Sequence, residues 1–397
     1  MVCSDGCKLF GAYRTAISIK DSAVLIHSTA SCDWGTLLFH LQAQMKDVRQ
    51  ASSVIYAEDM IFGGEKQLVA AIDKALEMYE ASALFILTGC ISEIMGDNAE
   101  DVLKSQGRNT PIYLLKSAGL RGNALSGVTD ALKAVIATMT ERDVVKGSIN
   151  LIGMFSDDFK SDADLSNIKA MLDGVVAINA VIPYDTFARV QSASAAELNV
   201  VFEGFEAIGE NLRQKFGTPY IIVRYPYGLI NSGNFVKKIT EAMNLGIPPR
   251  HTAAEMFTIN QLQNMKRHMD DLKGMPIAIV GDTARIAGLQ TFLQNELGMY
   301  AEVVIDISKM PNQDDYEKRI RASHAILLLG SSFERRIAEQ LSIPFMQFAY
   351  PVFDKISIGK NGYAGFAGTV CLIEDLVNTI LGFRAVSSHM CTWNGNF

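Results

Sequence analysis

Short apolar runs rich in β-branched residues alternate with longer segments of helical period, and this alternation restricts the chain to a parallel α/β design. In the first third the runs are SAVLIHS (22–28), SSVIYAE (52–58), ALFILTG (83–89) and PIYLLKS (111–117). Continuous apolar runs of this length belong to strands buried on both faces, which need helical crossovers. EKQLVAAIDKALEMY (65–79) supplies one, with Leu68, Ile72 and Leu76 on one face. The pattern restarts with INLIGMF (149–155), VVAINAVI (175–182), LNVVFEG (198–204) and PYIIVRYP (219–226), followed by a helical stretch at 251–273. It restarts again with GMPIAIVGDTARIAGLQTFLQNELGM, then AEVVIDI, HAILLLGSS and IPFMQFAYP, and closes with a helix over 362–381. At 397 residues the chain is too long for one core. Three blocks predict three doubly wound, Rossmann-like domains with mainly parallel sheets, at 1–145, 146–273 and 274–397. Ligands of such sheets lie at the carboxyl ends of the strands.

The bulk composition, 49% hydrophobic and 20% charged with a net charge of −7, is that of a folded globular chain. No lysine- or arginine-rich run is present, so a nucleic-acid partner is not expected. Polar Ser4, Asp5 and Lys8 interrupt any signal peptide at the start. The longest apolar runs, AILLLG and YIIV, are too short to span a bilayer, so no membrane partner is expected either. The expected location is the cytoplasm, where thiols stay reduced. The six cysteines then serve metal binding, catalysis or plain burial rather than disulfides.

IAIVGDTARIAG (277–288) lacks both G-x-G-x-x-G and the P-loop lysine, and reads as a strand-to-helix turn with Asp282 at the cap. Neither a G-x-S-x-G elbow nor H-E-x-x-H occurs. Histidines at 27, 40, 251, 268, 324 and 389 are scattered, and none pairs with a cysteine at zinc-finger spacing. His27 ends a predicted strand and is expected in a packed or hydrogen-bonded role. Cys371 falls on the apolar face of the last predicted helix, and Cys391 is expected in a mobile tail. Cys3 and Cys7 form C-x-x-x-C, but the third cysteine of a radical-type cluster motif is replaced by Phe10. Cys7, Cys32 and Cys90 share a context. Cys7 starts a predicted helix, Cys32 follows SAVLIHS by four residues, and Cys90 follows ALFILTG directly. If those strands are parallel neighbours, both loops emerge on one sheet edge. Iron–sulfur clusters usually take four thiolates, so three imply that the remaining ligands come from another subunit. Unconnected buried cysteines are the alternative.

The set GCKLFGA … HSTASCDWG … LTGCISEIMGDN, with spacing C-x24-C-x57-C, resembles the catalytic component of nitrogenases and nitrogenase-like reductases, and within it the β-type subunit. The family's HG-x-x-GC segment corresponds to His27 through Cys32, and its cysteine-then-IGDD segment to Cys90 through Asn98. FGG matches Phe62-Gly63-Gly64, GTPYIIVRYPYG (217–228) matches a later element, and the likeness covers nearly the whole chain. It implies that Cys7, Cys32 and Cys90 hold this chain's share of a cluster bridging α- and β-type subunits. That cluster is of the [8Fe–7S] P-cluster type, or [4Fe–4S] as in tetrapyrrole reductases. Ser92 and the backbone at Gly89 and Gly119 are expected to hydrogen-bond its sulfurs. Gly119 stands where nitrogenase β subunits carry a serine beside the cluster. The resemblance further implies a heterotetramer with an α-type partner carrying the catalytic cofactor, and transient docking of an ATP-dependent iron protein on the outer face of the first domain. No catalytic residue is expected in this chain. The compact start is similar to methylthio-alkane reductases, which makes C–S bond reduction the expected reaction. Dinitrogen reduction, tetrapyrrole reduction and a cofactor-assembly scaffold are the rivals.

Overall fold

The computed structural model describes residues 7–42, 48–104, 109–247, 249–309 and 313–392, so Cys3 lies outside the described residues. The chain divides into two compact units, Met1–Asp157 with Ile178–Ile222, and Asp158–Ala177 with Val223–Phe397.

The first unit carries two four-stranded sheets. In one, β1 (Ser22–Ser28), β2 (Gln50–Val54), β3 (Ala83–Thr88) and β4 (Ile112–Lys116) lie in the order β2-β1-β3-β4. All three pairings are parallel. Every residue of β1 and β3 is buried, as their unbroken apolar runs require. Its helices are α1 (Lys8–Ser18), α2 (Ala30–Gln42), α3 (Asp59–Phe62), α4 (Glu65–Met78), α5 (Cys90–Met95), α6 (Ala99–Lys104) and α7 (Ala124–Thr138). Leu68, Ile72 and Ala75 of α4 pack on Ala23, Leu25, Leu84 and Ile86. Strand β2 stops at Val54, short of the expected 58, because Tyr56–Glu58 turn into α3.

The other sheet has the order β6-β5-β7-β8, from β5 (Val145–Met154), β6 (Ala177–Pro183), β7 (Ala196–Phe202) and β8 (Tyr220–Val223). Between these strands run α8 (Ser161–Leu172), α9 (Phe187–Gln191) and α10 (Glu206–Phe216). The second unit holds α8 and the third sheet, β10-β9-β11-β12, built from β9 (Pro276–Gly281), β10 (Tyr300–Asp306), β11 (Leu328–Gly330) and β12 (Phe345–Gln347). Its pairings are parallel. Three sheets thus repeat one doubly wound order, with the switch point between the first and third strand of each.

Helices α11 (Gly228–Ala242), α12 (Pro249–Gln263), α13 (Lys266–Asp270), α14 (Thr283–Asn295), α15 (Gln313–Arg321), α16 (Ser332–Leu341) and α17 (Gly365–Thr392) complete the second unit. The single helix expected over 251–273 is broken, because Asn264 and Met265 donate to Gln261 and Leu262 in tight i→i+3 bonds. Helix α17 continues through Cys391, which therefore belongs to a helix rather than a tail. Its segment Gly365–Arg384 is long and apolar enough to cross a membrane by length and composition, which the short apolar runs did not reveal. Glu374 and Asp375 interrupt it, and it packs against α8, α11 and α12 as a core helix of its unit.

Arg285, in the first turn of α14, is buried with its counter-charges in the second unit. Its Nη2 lies 3.2 Å from Asp158 Oδ2, and its Nη1 donates to Tyr227 Oη at 3.1 Å and to the Phe159 carbonyl at 3.2 Å. Asp164 Oδ1 accepts the Tyr363 and Ala364 N–H groups, whereas Oδ2 has no hydrogen bond among the described residues and stands 3.9 Å from Arg285 Nη1. Burial outweighs these partners and pushes the Asp164 carboxyl up to about 6. The native state therefore binds a proton more tightly than the unfolded chain, whose aspartates titrate near ~3.9. Stability contributed by the protonated form is present below the unfolded value and is lost as pH rises through about 6. Asp164→Asn keeps the amide acceptor and removes the charge. Relative to the native chain it should gain up to about 3 kcal/mol between pH 4 and pH 7.5, read from urea unfolding curves. A difference that does not change with pH would mean that Asp164 is ionised throughout.

Candidate metal centre

Cys7 occupies the N-cap of α1, where its carbonyl accepts the Phe10 N–H at 3.1 Å. It also forms an isolated antiparallel bridge with Asn123, which caps α7 through its side-chain oxygen on the Ser126 N–H. The two helices touch backbone to backbone. A Cβ on Gly11 would stand 1.8 Å from the Ala124 carbonyl oxygen, and one on Gly127 2.0 Å from that of Lys8. At these two glycines no side chain separates the helices, and the Lys8–Asp130 ion pair at 2.7 Å also joins them, so α7 fixes the height of Cys7. Cys32 lies in the first turn of α2 just beyond β1, and its N–H donates to the Thr29 carbonyl. Cys90 opens α5 directly after β3, with Gly89 as N-cap.

The in-register pairing of His27 with Thr88 brings the loops after β1 and β3 to one carboxyl edge, at the switch point of the sheet. The three thiols are half-buried and unbridged. A Cβ placed on Gly119 would lie 2.8 Å from Cys7 Sγ and 3.7 Å from Cys90 Sγ, so both sulfurs border the space left by the missing side chain. Burial pushes the Cys7 thiol up, and the neighbouring Cys90 and Cys32 add to the rise. Among the described residues no three His, Cys, Asp or Glu side chains close on one metal ion. The donor set is therefore three soft thiols spread around a shared space, which suits a multi-iron group with one thiolate per iron better than a single cation.

Two carboxylates outside the expected site set fasten this edge. Glu93, one turn past Cys90, accepts from Thr88 Oγ1 at 2.7 Å and from the Ala118 N–H at 3.0 Å, and pairs with Arg121. Burial raises its carboxyl, but these donors together hold it below the ordinary value. Asp97 lies 3.1 Å from His27 Nε2 and accepts the Gly64 N–H at 3.2 Å. His27 Nδ1 meets Ser53 Oγ at 3.1 Å, and burial lowers the imidazole pKa. His27 is thus a satisfied core residue. Ser92 does not face a sulfur with a free donor. Its hydroxyl donates to the His27 carbonyl at 2.9 Å and lies 3.1 Å from that of Gly89, which locks α5 to β1. Gly89 has no room for a side chain, since a Cβ would stand 2.0 Å from Ser28 Oγ. Cys371 lies in α17 of the other unit, half-buried. Large apolar side chains are exposed in the segments that follow each strand of the first sheet: Trp34 after β1, Ile61 and Phe62 after β2, Ile94 after β3 and Leu120 after β4. Phe62 is 85% and Ile61 76% exposed.

Residues 7–381 match the family model described as nitrogenase component 1 type oxidoreductase. The chain is 21% identical to the nitrogenase molybdenum-iron protein beta chain of Methanococcus maripaludis, over 94% of this chain and 93% of that one. It is 25% identical to the nitrogenase iron-molybdenum cofactor biosynthesis protein NifE of Clostridium pasteurianum, over 94% of this chain and 87% of that one. A solved structure titled nitrogenase Cp1 at pH 6.5 superposes with a TM-score of 0.81 at 18% identity, covering 96% of this chain and 93% of that chain, and so shares the three-sheet fold. With one family model spanning all three sheets and the whole cysteine set, the chain belongs to the nitrogenase component 1 type oxidoreductases.

Proposed function

We propose that this chain is the β-type subunit of a cytoplasmic nitrogenase-like reductase, built as a heterotetramer with an α-type partner that carries the catalytic cofactor. Cys7, Cys32 and Cys90 hold the chain's share of an iron–sulfur relay of the [8Fe–7S] P-cluster type. The observation that carries this reading is the meeting of the Cys7 and Cys90 sulfurs around the empty side of Gly119, with Cys32 on the adjoining loop of the same sheet edge. Such a group, when bound, accepts and releases single electrons. The protein's part is to hold three thiolates in place, to keep Gly89 and Gly119 free of side chains, and to fix α5 through Ser92 and Glu93. Half-burial of the thiols in the isolated chain agrees with a site completed by a partner's ligands.

Exposed Ile61 and Phe62 sit on α3, which the Asp97–Gly64 bond ties to the segment following α5. Exposed apolar patches mark protein–protein contacts, and we assign this one to transient docking of the ATP-dependent iron protein. The substrate is carried by the resemblance alone, as the C–S bond of a methylthio-alkane. Two electrons and two protons cleave it to an alkane and methanethiol, and dinitrogen is the rival substrate. A cofactor-assembly scaffold is a second reading, favoured by the 25% identity to the NifE biosynthesis protein.

Three measurements check these assignments. In the anaerobically purified complex, Cys7→Ala and Cys90→Ala should each remove most of the iron, and Cys371→Ala should remove none. Fewer than about four irons per αβ pair in the native complex would rule out an eight-iron relay, and about four would support a [4Fe–4S] group. Phe62→Ala should raise the iron-protein concentration needed for half-maximal rate by about tenfold with iron content unchanged; an unchanged requirement would move the docking face elsewhere. Supplied with iron protein and ATP, the complex should release methanethiol from a methylthio-alkane. Ammonia from dinitrogen would identify the rival reaction, and cluster transfer without any turnover would identify a scaffold.

A further inference from the structure

Ser28 ends β1 and is 1% exposed, yet its hydroxyl has no hydrogen-bond partner among the described residues. An orphaned buried hydroxyl costs about 1–3 kcal/mol, and native structures rarely keep one without a reason. Strand fraying does not supply the reason, because the Ser28 carbonyl accepts the Ile55 N–H at 2.9 Å. Ser52, the other buried hydroxyl of this sheet without a partner among the described residues, pairs in register with Ile26 and so sits inside the sheet. Ser28 sits at its carboxyl edge.

Three placements define what the hydroxyl faces. Side chains alternate along a strand. Ala23 and Leu25 pack under α4, so His27 shares that face and Ser28 belongs to the opposite one. The first sheet's other helical neighbours on β1 and β3 include α1, which is absent from the α4 cluster and carries Cys7 at its N-cap. Second, Ser28 Oγ lies directly over Gly89, 2.0 Å from where a Cβ would be, and Gly89 is the residue before Cys90. Third, the chain leaving Ser28 reaches Cys32 within one turn of α2. The unpaired donor is therefore enclosed by the elements that deliver all three thiols.

We propose that Ser28 Oγ–H donates a hydrogen bond to a sulfur of the iron–sulfur group held by Cys7, Cys32 and Cys90, and so raises its reduction potential. This rests on the cluster assignment above. Each added electron makes the sulfurs more negative, so a fixed donor stabilises the reduced form more than the oxidised one. Among the described residues no protein acceptor takes the proton, which leaves the hydroxyl poised for the cluster.

Ser28→Ala removes the donor while keeping the Cβ. In the anaerobically purified complex it should retain native iron content but hold about tenfold less reduced cluster at a fixed potential. For a one-electron step that is a midpoint lower by about 59 mV, read by EPR-monitored redox titration. The metal-free Ser28→Ala chain should unfold at a temperature no lower than the native chain, since an unpaired hydroxyl has been deleted. An unchanged midpoint at native iron content would overturn the proposal, because the hydroxyl then touches no sulfur. Loss of iron from the variant would also overturn it, by making Ser28 a support of the ligand loops. If the native complex itself contains no iron, the cluster assignment fails first, and metal analysis of the unmutated protein separates that case from the other two.

Discussion

Everything at the candidate centre depends on the parallel, in-register pairing of β1 with β3. Because both strands run the same way, their carboxyl ends stop at one edge, and the residues that follow them emerge side by side. Sequence separation between Cys32 and Cys90 is thereby cancelled in space. Both strands are buried on both faces, so a slip of one residue would exchange the side chains that pack under α4 with those on the opposite face, and it is the fit of those side chains that ties the register of the thiols to the core. The third thiol, that of Cys7, reaches the same edge by another route, at the N-cap of a helix whose backbone rests on α7.

The centre is organised by what is left out as much as by what is present. Gly119 and Gly89 lack side chains where any Cβ would strike Cys7 Sγ or Ser28 Oγ. Gly119 also means that this chain offers no side-chain oxygen at that point, so the donors it brings there are sulfur alone. Around this opening the carboxylates of Glu93 and Asp97 act on backbone amides and on a histidine rather than on metal. The sheet of the second unit that repeats the same topology treats its own strand end differently. There Asp282 caps α14, and Arg285, one turn in, is sealed among Asp158, Asp164, Tyr225 and Tyr227.

How much of this was legible in the sequence follows from where the physical signal is local. The strands of the first sheet could be read because each is a continuous apolar run, and three of them matched to within a residue at both ends. The three cysteines could be read because each sits next to a predicted strand end or helix start. Glu93 and Asp97 could not be, since an acidic residue in or just after a short helix is ordinarily solvated, and their partners lie at Thr88, Ala118, Gly64 and His27. Arg285 was hidden for the same reason: its counter-charges are more than a hundred positions away in the chain. The expected single helix over 251–273 failed at Asn264, where hydrogen bonds shorten from i→i+4 to i→i+3 without any proline or glycine to announce it. Ser92 was expected to face sulfur, yet its proton goes to the nearest backbone carbonyls, a competition that spacing alone cannot reveal.

The backbone contact between α1 and α7 bears on the order of events in biogenesis. Cys7 is held by two glycines pressed against opposing peptide groups, and Cys90 by a fully buried strand, so neither position depends on a metal to draw it in. Small zinc domains fold around their ion and collapse without it. Here the apolar sheet and the helix contact hold the two cysteines by packing alone, so under the cluster assignment proposed above folding and iron loading are separable steps. On that reading, the frame can be complete before any inorganic group is delivered to it.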